Sequence, residues 1–97
     1  LNMNKVLNNI LRKMCEYANV EYDPNLFNLT DFYLRHSWTM EKAEEFVKWL
    51  ADEIYNNKET WYYFGFNYKP SKKMCYKAAK NFELNYGWTY ADKETAK

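Results

Sequence analysis

A chain of 97 residues and 11.9 kDa holds one hydrophobic core, which excludes a second folded domain and a long enzyme scaffold. With 47% apolar and 28% charged residues the composition is that of a globular protein, and 21% aromatic residues argue against intrinsic disorder. Fourteen basic against thirteen acidic residues leave a net charge of +1, so nothing global points to nucleic acid or membrane and any electrostatic partner has to be met by a local patch.

From Met3 to Ala18 the apolar residues are Met3, Val6, Leu7, Ile10, Leu11, Met14, Tyr17 and Ala18. That three-and-four spacing lines up one face of a helix, and Asn4, Lys5, Asn8, Asn9, Arg12, Lys13 and Glu16 form its expected solvated face. Leu1 and Asn2 precede the first methionine and are read as an upstream extension. Asp23-Pro24 has the chemistry to cap and open a short helix ending near Arg35. Its apolar Leu26, Phe27, Leu29, Phe32, Tyr33 and Leu34 surround the axis, which implies contacts on several sides. Asn28-Leu29-Thr30 matches a glycosylation sequon, which carries meaning only in a secreted chain.

Thr39 is a good N-cap for the next helix, with Glu41 in its first turn and Trp38 placed to staple onto Ala43. The expected core stripe is Met40, Ala43, Phe46, Val47, Leu50, Ala51 and Ile54. Trp61 keeps phase with Ala43, Leu50 and Ile54, and Phe64 with Phe46 and Leu50, so the helix is expected to continue to Tyr63 and stop at Gly65. The alternative for 60–68 is a short aromatic strand, for which no partner strand is evident. Pro70 and Ser71 open the last helix, with Met74, Cys75, Ala78, Ala79, Phe82 and Tyr86 facing the core, Gly87 ending it and Trp88 packing back onto its last turn. Residues 91–97 have little to bury and are expected to fray. The fold class expected is all-α: one domain over 3–90, a small bundle of three long helices plus one short one.

Two stretches, SWTMEKAEEFVKWL at 37–50 and FELNYGWT at 82–89, resemble small uncharacterised accessory proteins of tailed bacteriophages. The resemblance implies a phage or mobile-element origin and brings no catalytic motif with it. Twelve Lys against two Arg, twelve Asn, ten Tyr and no Gln further suit an AT-rich genome.

No run approaches the roughly 18 apolar residues of a membrane span, and the start lacks the basic, apolar, small-residue order of a signal peptide. The expected location is intracellular: the cytoplasm, that of a bacterial host if the chain is phage-derived. Cys15 and Cys75 do not make a disulfide scaffold and are expected to pack as small apolar residues. Catalysis of the Cys-His type requires His36, the single histidine, to meet one of them. One His and two Cys fall short of a structural zinc cage. Glu41, Glu44, Glu45, Asp52 and Glu53 phase to the solvent side, with Glu44 and Lys48 at ion-pair spacing, and no Gly-rich phosphate loop is present. No enzyme activity, cofactor or metal is expected.

Binding is therefore the expected mode of action. The leading expectation is a protein-interaction module, a phage-derived inhibitor or modulator of a host protein. Its anchors are Trp49, read on the side of its helix opposite Leu50, together with Trp38, Trp61, Tyr62, Tyr63, Phe66 and Tyr68. The alternative is nucleic-acid binding. Lys69, Lys72, Lys73, Lys77 and Lys80 fall within twelve residues that contain no acid, with Tyr76 among them to stack on a base.

Overall fold

The apolar periodicities become helices in the computed structural model, which describes residues 3–19, 21, 22 and 39–87. The helices are α1 (Met3–Ala18), α2 (Met40–Asn56), α3 (Lys58–Tyr63) and α4 (Lys72–Gly87), with no strand among the described residues. The short helix expected from Asp23 to Arg35, His36, Trp38, Trp88 and the tail lie outside them.

Helix α1 has the expected span and buries Val6, Ile10, Leu11, Met14 and Cys15. It ends at Asn19, whose φ of 60° lies in the left-handed region that Asn tolerates. The Asn19 N–H donates to the Glu16 carbonyl at 3.1 Å. Lys42 Nζ, from α2, donates to the Tyr17 carbonyl at 3.1 Å, satisfying a last-turn acceptor that the helix itself leaves open. Tyr22 folds the chain back over α1: its hydroxyl donates to Asn8 Oδ1 at 3.0 Å and its ring lies 4.8 Å below the Arg12 guanidinium.

Helix α2 is the centre of the fold, packed most extensively on α4 and also against α1 and α3. Thr39 caps it as expected, its hydroxyl accepting from the Lys42 N–H at 3.1 Å. Ala43, Phe46, Val47, Leu50 and Ile54 are buried. Met40, assigned to the same stripe, is exposed, because it sits in the first turn at the edge of that face. Phe46 touches rings on several sides: Tyr17 at 6.3 Å, Trp49 at 6.0 Å and Phe82 of α4 at 6.3 Å.

The helix expected to run unbroken to Tyr63 stops at Asn56. Asn57 is extended (φ −127°, ψ 110°), and its carbonyl accepts from the Trp61 N–H at 3.0 Å to start α3. Asn side chains compete with the helical backbone for hydrogen bonds, so the Asn56-Asn57 pair is where a long helix yields most readily. Nor does 60–68 form the alternative strand. Instead α3 closes in a Schellman motif, with Phe66 N–H donating to the Trp61 carbonyl at 2.9 Å and Gly65 N–H to that of Tyr62 at 3.0 Å. Gly65 has the positive φ, 89°, that this motif demands.

Ser71 starts α4, its Oγ accepting from the Met74 N–H at 3.2 Å, behind a fully buried Pro70. Cys75, Ala79 and Phe82 are buried as expected, and Phe64 meets Phe82 edge to face at 5.8 Å. Met74, assigned to the core, is 38% exposed, and Glu83 is wholly buried in its stead. The helical period accounts for the exchange: Glu83 follows Ala79 by four residues and Cys75 by eight, on the same face. Its Oε1 stands 4.0 Å from Lys80 Nζ, one turn earlier.

Candidate nucleic-acid interface

Helices α2 and α4 part beside the start of α4, leaving a cleft of about 480 Å³ lined by Lys48, Ala51, Asp52, Tyr55, Lys72, Lys73 and Tyr76. The α2 contributors recur at three-and-four spacing next to the buried stripe, and those of α4 lie on its first turns. Lys69, just before Pro70, joins them. Its Nζ stands 4.1 Å from the centroid of the Tyr55 ring, and that of Lys72 is 5.3 Å away. Tyr55 thus gathers two ammonium groups by cation–π attraction and fixes them at the cleft.

Tyr76 forms another wall. Its hydroxyl donates to the Glu44 carboxylate, at 2.7 Å from one oxygen and 2.9 Å from the other. That hydrogen bond, then burial and the Glu44 charge, raises the phenol's pKa above its ordinary value, so Tyr76 is neutral at physiological pH. Tyr76 as a whole is 41% exposed. Glu44 is therefore engaged by Tyr76, and no ion pair joins it to Lys48 among the described residues.

Of the five lysines singled out in the sequence, Lys69, Lys72 and Lys73 meet at this cleft. Lys77 is exposed on the adjoining side of α4, lining a 260 Å³ hollow with Phe66, Met74, Ala78 and Asn81. Lys80 is half-buried and faces Glu83. Lys48 and Tyr55 complete the cleft from the opposite helix; the sequence assigns Lys48 a different role, as an ion-pair partner of Glu44, and Tyr55 none. Their signal was the spacing Lys48, Ala51, Asp52, Tyr55 along one edge of the α2 stripe, legible only once the partner helix is known.

The expected aromatic anchors have a different fate. Trp49 is half-buried against the core, stacked on Phe46 at 28° between planes, with Lys13 Nζ of α1 5.6 Å from its ring. It lies three residues after Phe46 and therefore at the border of the buried face, not opposite it. Trp61, Tyr63 and Phe66 also pack on the core, while half-buried Tyr62 pairs with Trp61 at 4.9 Å and lies under Lys58. Tyr68, 64% exposed, stays open to a partner.

Cys15 and Cys75 are buried free thiols whose pKa values burial raises, as expected of cysteines used for packing. Among the described residues, no three His, Cys, Asp or Glu side chains gather to hold a metal, and no helix is long and apolar enough to cross a membrane. What the cleft offers is electrostatic and aromatic: the ammonium groups of Lys48, Lys69, Lys72 and Lys73, the carboxylate of Asp52 and that of Glu44 bound to the Tyr76 hydroxyl, with the rings of Tyr55 and Tyr76 among them. Comparison with known proteins finds no matching family model, curated protein or solved structure.

Proposed function

We propose that this chain is a non-enzymatic binding domain that takes nucleic acid at the cleft between α2 and α4. The observation that carries the reading is the convergence of Lys48, Lys69, Lys72 and Lys73, from two helices and the loop before α4, around Tyr55 and Tyr76. In a protein of net charge +1, that is a local cationic patch of the kind phosphates recognise, and each phosphate bound releases condensed counterions. The test is fluorescence anisotropy with labelled oligonucleotides in low salt. Wild type is expected to bind, and Lys48, Lys72 and Lys73 changed together to Glu should abolish binding while leaving the helical circular dichroism intact. Failure of the wild type to bind any oligonucleotide in low salt ends the proposal.

A second reading, a protein-interaction module of phage or mobile-element origin that modulates a host protein, is favoured by the exposed Tyr68 and the partly exposed Tyr62. It is the weaker of the two because Trp49, Trp61, Tyr63 and Phe66 pack on the core, which leaves less of their area for a partner. Capture from a bacterial lysate with and without nuclease separates the readings: a protein retained after nuclease and lost on Tyr68→Ala supports the second.

A further inference from the structure

The two tyrosines of the cleft are not equivalent. Tyr55 has Lys69 and Lys72 over its ring and acts as a positioning residue for phosphate-binding cations. Among the described residues no ammonium group lies over the Tyr76 ring, which is partly exposed at the cleft and tethered through its hydroxyl to Glu44. A tethered ring with an open face beside cations is a stacking platform, since every base has a π face and holding the ring still lowers the cost of ordering it on binding. The cleft, about 480 Å³ and open to solvent, leaves room for a base beside that ring. A duplex keeps its bases stacked inside and presents phosphates only to the rim, leaving Tyr76 without a partner. Asp52 completes the argument: a carboxylate inside a phosphate-only site is a liability, whereas beside an unpaired base it accepts from an exocyclic amino group.

We infer that the ligand of this cleft is single-stranded nucleic acid, with one unpaired base seated on Tyr76 and its flanking phosphates among Lys48, Lys69, Lys72 and Lys73. The inference rests on the nucleic-acid reading above and narrows its ligand.

The experiment compares a labelled oligodeoxyadenosine of about 15 nucleotides, a span typical of single-strand sites and one whose bases carry the exocyclic amino group, with a duplex of the same length. Wild type should favour the single strand by about tenfold or more, and Tyr76→Ala should weaken that binding by about tenfold while leaving duplex binding unchanged. Tyr76→Trp, which keeps a ring at the position, should retain or tighten single-strand binding and carries the test should the alanine variant melt early. Equal affinity of wild type for the two forms, equal weakening of both by Tyr76→Ala, or loss of single-strand binding in a folded Tyr76→Trp overturns the inference. Each of these leaves the proposed function standing. Binding of neither form overturns both.

Discussion

Trp49 and the two cysteines illustrate how a side chain's surroundings set its role. The Trp49 ring covers Phe46 on one side and meets Lys13 on another, so truncation strips a flank of the core without opening its centre. Trp49→Ala is expected to lower stability by about 2–3 kcal/mol, between a surface change and the 3–5 kcal/mol of a fully buried aromatic, as read from a urea melt. The thiols of Cys15 and Cys75 are held protonated by burial. Because the thiolate is the nucleophile, a disulfide reagent at pH 8 should modify neither in the native state and both in denaturant. The same shifts fix a pH dependence. A pKa raised on folding means the native state holds its proton more tightly, so the contribution is complete below the ordinary thiol value of 9.0 and is lost as pH rises through the folded value. Tyr17 and Tyr76, both raised from 10.0, act in the same direction at higher pH. The urea midpoint should therefore fall on moving from pH 8 to above pH 10, and a midpoint that holds or rises contradicts the burial described.

At the scale of elements, Gly65 isolates one backbone effect. A Cβ built there meets nothing within 4 Å, so Gly65→Ala changes no packing and tests only the cost of a positive φ, 89°, for a residue with a side chain. A loss of about 1 kcal/mol in a chemical melt is expected, with the helical signal retained. The helices themselves were legible from the sequence because periodicity, caps and stops coincide: the α1 stripe, Thr39, Ser71 and Gly65 stand where the apolar pattern puts them. The break at Asn57 was not legible, since Trp61 and Phe64 remain in phase with the α2 stripe and still pack on the core after the chain has turned. Glu83 escaped because charge argued for the surface while its spacing from Cys75 and Ala79 argued for the core, and packing decided. Half of the candidate site was equally hidden: a lysine run marks Lys69, Lys72 and Lys73, but nothing in the local pattern of α2 says that Lys48 and Tyr55 will face them.

For the molecule as a whole, a chain of net charge +1 brings four of its fourteen basic residues to one cleft, and that makes its salt dependence diagnostic. Lys48, Lys69, Lys72 and Lys73 meet at the cleft, whereas Lys80 is committed to Glu83 and Lys13 to Glu16 at 3.1 Å. If each cleft lysine neutralises one phosphate of a single strand, the slope of log affinity against log salt is about −3, and affinity falls about 50-fold between 50 and 200 mM salt. Neutralising one of them, as in Lys48→Gln, should reduce the slope by about 0.7, and Lys72→Gln by the same amount. Lys13→Gln and Lys80→Gln remove the same formal charge from committed positions and should leave the slope unchanged. Anisotropy titrations at four or so salt concentrations distinguish these cases. A slope that responds equally to all four substitutions would assign binding to diffuse charge and remove the cleft as its site, and a slope near zero in the wild type would mean that phosphates are not what this surface recognises.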